Sequence, residues 1–163
     1  MTKILLSLHV LAAIIAIGPV TVAASMFPPA ARRVVVPVPA GAGAGEETDA
    51  GDVSTVRLLH RICRVYAGLG IAVPVLGFAT AAAMGVLGDA WLIASIALTA
   101  AAAGLLVAFI LPRQEELLEQ VTDRQPVERA RTARLAMFTG LFNLLWATVT
   151  VLMIVRPGST TGA

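Results

Sequence analysis

Charged and aromatic side chains are scarce in this sequence of 163 residues. Only 13% of the residues are charged and 5% are aromatic, whereas 58% are hydrophobic. A soluble domain usually carries about 25% charged residues, so this chain has too few polar side chains to cover a water-soluble globule. The composition therefore places the chain in the membrane class.

The sequence has a single cysteine and lacks several catalytic motifs. Cys63 is the only cysteine, which excludes an intrachain disulfide and a zinc site of clustered cysteines. The long apolar runs contain no Asp or Glu, so a proton or cation pump would lack a carboxylate relay. A nucleophile–base pair, a phosphate-binding loop and an HExxH motif are absent, which disfavours a hydrolase. The net charge of +2 does not indicate nucleic-acid binding.

Four apolar runs are each long enough to cross a bilayer, which needs about 20 residues. They cover residues 4–26, 65–87, 90–111 and 135–155, and none contains Lys, Arg, Asp or Glu. Backbone groups in hydrocarbon must be hydrogen-bonded within their own segment, so each run should be helical. The sequence therefore predicts an all-α, integral membrane four-helix bundle in a single domain. A cleaved signal peptide is the alternative for the first run, although that run exceeds the usual apolar core of about 7–15 residues.

The connections between the spans differ in length. Only Gly88 and Asp89 separate the second and third spans, which predicts a tight antiparallel hairpin in which Gly ends one helix and Asp caps the next. Pro28 and Pro29 are expected to end the first helix. Residues 34–52 combine Pro, Ala, Gly and acidic side chains that cannot bury enough apolar surface to fold, so we predict a mobile loop there.

A second long connection covers residues 112–134. Pro112 and Pro126 bracket a short predicted helix in this connection. Its apolar side chains fall on one face: Leu117, Leu118 and Val121. We therefore expect this helix to lie against the end of the bundle.

Arginine predicts the orientation of the protein. Ten of the twelve Lys and Arg residues fall in residues 27–64 and 112–134. The positive-inside rule places these loops in the cytoplasm, so both termini would face outward, with Trp91 as an anchor at the outer boundary. The expected protein is a multi-pass, N-out/C-out protein of the inner (plasma) membrane. Because each half consists of an inward helix, an Arg-bearing loop and an outward helix, a parallel 2+2 helix repeat also fits.

Small residues recur at four-residue spacing in the last three spans. The positions are Gly77, Ala81, Gly85, Ala100, Gly104, Ala108, Ala136 and Gly140. Small side chains let helices approach closely in lipid. Packing within the bundle is the plain interpretation. Self-association, as a homo-oligomer or within a larger membrane complex, is the functional alternative.

His9 is the most suggestive polar residue in the apolar runs. Its helical stripe continues through small side chains at Ala13, Ala16, Val20 and Ala23. Polar residues in membranes usually face the bundle interior, so we expect His9 to point inward. It can then form a hydrogen bond to a neighbouring helix, with Ser95 as a candidate partner. Imidazole is also a common axial ligand of haem, which makes a cofactor role the alternative.

Other polar residues favour structural roles. Asn143 lies near the middle of the fourth span and predicts an interhelical hydrogen bond. A basic cluster on successive helical turns predicts either an anchor that contacts lipid headgroups or a site for an anion; its members are Arg57, His60, Arg61 and Arg64. A hydrocarbon core about 30 Å thick separates His60 from His9, so the two histidines cannot share a site. Together with Cys63, His60 gives only a weak metal pattern, so no metal site is predicted.

The first span also carries a resemblance. The residues Leu8-His9-Val10-Leu11-Ala12-Ala13, followed by Gly18 within a four-span plan, resemble a family of small bacterial predicted integral membrane proteins of unknown function. More distantly, the plan is similar to the non-flavin membrane protoporphyrinogen oxidases and the copper-resistance D-type proteins. A first-helix His is typical of those families, and the resemblance implies that His9 would be a haem ligand. The basic segment from Arg61 to Arg64 is similar as well.

Two classes of function follow from these observations. The first is a non-enzymatic accessory, assembly or scaffold component of a membrane complex, which needs no cofactor. The second is a haem-binding membrane redox protein with His9 as an axial ligand. In both cases the lipid bilayer is the surrounding partner.

Overall fold

Helices make up all regular secondary structure in the part of the chain that the structure describes, residues 2–34 and 45–158. The structure is a computed structural model. Its elements are α1 (Thr2–Arg33), α2 (Gly45–Leu69), α3 (Ala72–Met84), α4 (Ala90–Leu105), a π-helical turn (Leu106–Ile110), α5 (Leu111–Thr122) and α6 (Arg129–Val155). Four helical stretches are long and apolar enough to cross a membrane: Thr2–Arg33, Gly51–Met84, Ala90–Thr122 and Arg129–Val155.

The helix α1 is the element on which most of the others pack. It contacts α2, α3 and α6 and touches α5, whereas α4 packs on α6 and α2 packs on α5. We call the end of the bundle where α1 ends and α6 begins the arginine end. The opposite end, where α3 turns into α4 and α6 finishes, is the terminal end.

The surface of the bundle is largely apolar. Only 17–22% of the most apolar window in each spanning stretch is buried inside the protein. Large side chains such as Leu11, Ile14 and Val22 are exposed on α1. Apolar surface of this kind has a lower free energy in hydrocarbon than in water. The architecture therefore indicates a multi-pass membrane protein with four spanning helices.

The first helix extends further than the sequence predicted. It continues through Pro28 and Pro29 to Arg33, so these prolines do not end it. Each proline removes one helical hydrogen bond but holds its own φ near the helical value. Phe27 and Ala31 are fully buried in a cluster shared with α2. The stabilisation from packing against α2 therefore outweighs the tendency of the two prolines to end the helix.

The second span is interrupted near its middle. α2 ends at Leu69, and α3 begins at Ala72 after a short turn. Pro74 has no N–H to give to the carbonyl of Gly70, and that carbonyl instead accepts a bond of 3.1 Å from the N–H of Val73. The change from α2 to α3 thus follows from proline chemistry within an otherwise helical segment.

The turn between α3 and α4 begins earlier than predicted. Gly85, not Gly88, terminates α3 with a left-handed φ of 71°. Val86 N–H donates to the carbonyl of Ala81 and Gly85 N–H donates to that of Ala82, both at 3.2 Å. This is the pairing of a Schellman C-cap, in which glycine accepts the left-handed conformation without strain.

Asp89 occupies the N-cap position of α4 as predicted, but its side chain makes no capping bond. The carboxylate oxygen Oδ2 instead accepts a hydrogen bond of 2.9 Å from the indole Nε1 of Trp91. Trp91 is only 7% exposed, packed with Ala81 and Leu92, and so lies inward rather than as an exposed anchor. The guanidinium of Arg156 lies 5.7 Å from the centre of its ring, which fixes the end of α6 to this turn.

Both long connections contain more helix than the sequence predicted. Residues 45–52 belong to α2, whereas the sequence predicted a mobile loop over residues 34–52; residues 35–44 of that loop lie outside the described residues. α5 does not stand apart from the third span but continues from it through the π-helical turn. The apolar face predicted for α5 is confirmed, since Leu117 and Val121 are buried and Leu118 packs against the same core.

Two side-chain hydrogen bonds join α1 to α6. Nδ2 of Asn143 donates to Oγ of Ser25 at 3.1 Å, which is the kind of interhelical bond expected of Asn143. At the arginine end, Nε of Arg32 donates to the buried Oγ1 of Thr132 at 2.8 Å. These bonds fix α6 against α1 at two levels of the bundle.

Candidate functional site

His9 lies on the buried face of α1, as its stripe of small residues predicted. The side chain is 7% exposed, and Ala16, Val20 and Ala23 are buried on the same face. Nδ1 is 3.0 Å from the backbone carbonyl oxygen of Val73 in α3. A carbonyl oxygen can only accept, so Nδ1 carries the proton. Nε2 is then the nitrogen with a free lone pair, and it has no hydrogen-bond partner among the described residues.

Gly77 provides the space for the imidazole ring. A Cβ atom placed on Gly77 would lie 2.9 Å from Cε1 of His9 and 3.3 Å from its Nδ1. Cβ atoms in proteins essentially never lie within 3.0 Å of another heavy atom, so the contact with Cε1 would force the ring or the helix to move. The ring therefore lies directly against the backbone of α3, one turn beyond the carbonyl that holds it. The glycine predicted as a general packing residue has this specific role.

Ser95 is not the partner of His9, contrary to the sequence-based expectation. Its hydroxyl is fully buried and donates to the carbonyl of Trp91 at 2.8 Å, within its own helix. The reason is the arrangement of the spans: α4 packs on α6, whereas α3 packs on α1. The helix that faces His9 is therefore the second span and not the third.

A second candidate site is the outward face of α4. Six small residues at spacings of three and four all lie exposed along it: Ala90, Ala94, Ala97, Ala101, Gly104 and Ala108. We call this set the small-residue face. The expected packing of Ala100, Gly104 and Ala108 inside the bundle is wrong, since all three are exposed. Ala136 and Gly140 of α6 are exposed as well.

The basic cluster of α2 lies in a groove beside α5 at the arginine end. Arg57, His60 and Arg64 line a cavity of about 390 Å³, while Arg61 is exposed elsewhere on the helix. The opposite wall carries three carboxylates, those of Glu115, Glu119 and Asp123. Two guanidinium groups thus face three carboxylates, and an anion in this groove would be repelled. The arrangement favours attachment of α2 to α5 over an anion site.

His60 takes part in a buried polar group of three side chains. Its Nδ1 donates to Oε1 of Gln114 at 3.3 Å, and Nε2 of Gln114 donates to Sγ of Cys63 at 3.6 Å. Gln114 and Cys63 are fully buried. The described residues contain no group of three or more His, Cys, Asp or Glu side chains placed to hold a metal ion. The histidine and the cysteine are therefore joined through an amide, which fixes α5 on α2.

Two residues that are prominent in the structure were not predicted from the sequence. Gln114 connects His60 with Cys63, and Arg113 lies over the aromatic rings of Phe109 and Phe138. Both come directly after Pro112, where the third span was predicted to end. The sequence contains one signal for them. Gln114 lies four residues after Ile110 and three before Leu117, and this helical spacing continues the buried face of the third span past the proline.

The fit between His9 and Gly77 leads to a prediction about stability. Gly77→Ala should destabilise the folded protein by about 1–3 kcal/mol, because the added methyl overlaps the imidazole and the core is close-packed. Adding His9→Ala should remove most of that loss, since the overlapping ring is gone. Unfolding in mixed detergent micelles, followed by circular dichroism, measures both effects.

Gly140→Ala is the matched control for this test. A Cβ at Gly140, in the middle of α6 and outside the small-residue face, meets no atom within 4 Å, so the same chemical change should leave stability nearly unchanged. Equal destabilisation by the two glycine substitutions would contradict the packing described for His9.

Comparison with known proteins assigns no family: no family model, curated protein or solved structure matches the chain.

Proposed function

We propose that the protein is a non-enzymatic scaffold or assembly component of the membrane that works as a homo-oligomer through the small-residue face of α4. The observation that supports this proposal most directly is the direction of that face. Six consecutive positions of the stripe carry Ala or Gly and point away from the bundle. Bulky exposed side chains lie beside this stripe on the same span, at Ile93, Ile96 and Val107. On α1 the exposed positions include Leu11 at 53% and Ile14 at 64%.

Small outward residues have a defined use in lipid. Transmembrane helices gain no hydrophobic free energy by associating, so they depend on van der Waals contact, and small residues allow two backbones to approach closely. If these Ala and Gly residues faced only acyl chains, their small size would not stabilise the protein, because no second backbone would approach them. The stripe therefore fits a partner helix better than it fits lipid.

The partner that suits this face is a second copy of the chain. Close approach requires small residues on both helices, and the stripe of a second copy supplies them. Two identical faces form an isologous contact with two-fold symmetry, which closes at a dimer. His9, Asn143 and Gln114 each form a hydrogen bond to another helix, so these polar side chains already have partners within the bundle.

Cysteine cross-linking tests this proposal. Ala97→Cys should form a disulfide-linked dimer on mild oxidation in membranes, because Ala97 lies in the middle of the small-residue face. Cys63 is buried and does not compete for the oxidant. Adding Gly104→Leu should reduce the cross-linked fraction several-fold, since a bulky side chain separates the two backbones while the inside of each bundle is unchanged.

Ile14→Cys on the outward face of α1 is the control, because Ile14 is exposed but has bulky neighbours. It should give little dimer under the same conditions. Cross-linking of both variants to the same extent would argue against a specific contact through α4. A cross-link from Ala97→Cys to a different membrane protein would replace the homo-oligomer with a larger complex.

A haem-binding redox function is the second candidate, and the bond between His9 and Val73 favours it. Histidines that bind metals commonly donate their other ring N–H to a carbonyl, which fixes the tautomer and the ring orientation. His9 has this arrangement, with Nδ1 bonded to the carbonyl of Val73 and Nε2 left as the nitrogen that would hold the iron. A haem held there would supply electron transfer. The resemblance of the first span to haem-binding families points the same way.

An absorption spectrum of the purified protein distinguishes the two candidates. The haem hypothesis predicts a Soret band that His9→Ala removes and that the control His60→Ala retains. The scaffold proposal predicts a colourless protein that His9→Ala only destabilises. A Soret band that survives in His9→Ala would contradict the assignment of His9 as the ligand.

We also propose that the arginine end lies in the cytoplasm, with both termini outside. Ten of the twelve Lys and Arg residues, among them Arg32, Arg57 and Arg129, fall in segments 27–64 and 112–134 of the sequence, and the positive-inside rule would place these segments in the cytoplasm. A reporter enzyme that is active only outside the cytoplasm should be active when fused after the last residue. Activity of a cytoplasm-specific reporter at that position would reverse the orientation.

A further inference from the structure

A cavity at the arginine end, distinct from the groove beside α2, lies between α5 and the start of α6. Its volume is about 260 Å³, and it is lined by Arg113, Glu116, Leu117, Glu128, Ala130, Arg131 and Arg134. Three guanidinium groups share this cavity with two carboxylates, which leaves a surplus of one positive charge. The α2 groove has the opposite balance, with two guanidinium groups and three carboxylates.

Arg113 is held in place by aromatic rings and not by an acid. Its guanidinium carbon is 4.5 Å from the ring centre of Phe138 and 5.4 Å from that of Phe109, and the two rings stack 5.2 Å apart. Its Nη1 is buried and has no hydrogen-bond partner in the described part of the chain. A buried donor on a charged group without an acceptor is costly. Nη1 is enclosed beside the rings while Arg113 also lines the cavity, so an anion there would pair with this donor once the guanidinium turns towards the cavity.

The other two guanidinium groups are largely available. Arg131 contacts Glu128 at 3.4 Å between Nε and Oε2, an exposed pair in which both side chains are at least half accessible. Exposed pairs of this kind contribute little to stability and exchange partners easily. Arg134 lies one turn further along α6 and is exposed. Both can therefore reorient towards an anion in the cavity.

The start of α6 adds a further favourable feature. Glu128 is the N-cap residue but makes no side-chain capping bond, so the first N–H groups of α6 receive no side-chain acceptor from it. The positive end of a helix dipole favours an anion at this position. The helix dipole adds to the attraction that the three arginines exert on an anion, and by itself it does not define a binding site.

The cavity lies where the apolar spans end. Exposed apolar side chains on the membrane side of it include Val107, Phe109 and Met137, whereas the side chains further out are charged. Phospholipid phosphates lie at this level of a bilayer, and basic pockets between transmembrane helices bind anionic headgroups. Arginine also matches phosphate geometry well, since its planar fork can donate two parallel bonds.

We infer that the cavity between α5 and α6 is a binding site for the phosphate group of an anionic phospholipid, held by Arg113, Arg131 and Arg134. The acyl chains would follow the exposed apolar side chains beside Phe109. The inference depends on the membrane location of the four spans and not on self-association through α4, which uses a different face.

The test measures lipid retained by the purified full-length protein. In native mass spectrometry from mixed micelles, the wild type should retain phosphatidylglycerol or cardiolipin in preference to phosphatidylcholine. Arg113→Gln should weaken that binding about tenfold or more, because it removes a charged donor that contacts the phosphate. Arg134→Gln should weaken it as well, and this second variant keeps the test valid if Arg113→Gln does not fold.

Arg57→Gln is the matched control, since it removes one arginine from the groove that faces the carboxylates. It should leave lipid retention unchanged. An equal loss in Arg57→Gln, or equal retention of anionic and zwitterionic lipid by the wild type, would overturn the site. Displacement of the lipid by inorganic phosphate at low concentration would overturn the lipid assignment and identify a soluble phosphate as the ligand.

Discussion

Close packing along the inner face of α1 is the constraint on which the rest of the structure depends. Ala16, Val20, Ala23 and Ala24 keep that face small, so α2, α3 and α6 can all contact one helix. Close packing replaces the hydrophobic effect as the main attraction between helices in lipid. His9 sits on the same face, and the missing side chain of Gly77 leaves room for its ring. Bulkier residues on this face would separate the helices and break the bonds from His9 and Asn143.

Because α3 is bound to α1 and α4 is bound to α6, the two central spans do not have to pack on each other along their length. The turn at Gly85 joins them only at the terminal end, where Trp91 fills the space. This arrangement leaves one side of α4 free, and that side carries the stripe of Ala and Gly. The proposed self-association therefore follows from the way α1 organises the bundle.

The sequence predicted the number and approximate position of the spans because twenty-residue apolar runs have few alternatives in a protein of this composition. It also predicted the inward direction of His9, since the residues on its stripe are small. It did not predict that α1 continues past Pro28 or that the third span continues past Pro112, because tertiary packing at Phe27 and Gln114 decides those boundaries. The partner of His9 was not predicted for a related reason. Every residue has a backbone carbonyl that can accept a hydrogen bond, so the sequence does not single out that of Val73.

The proposed contact through α4 is tested by the oligomeric state of the labelled protein in lipid vesicles at low protein density, read from single-molecule photobleaching steps. We expect a majority of two-step traces for the wild type and a shift to one-step traces for Gly104→Leu, with circular dichroism unchanged. One-step traces for the wild type at every density would contradict the claim that the small-residue face of α4 is a contact between two copies of this chain.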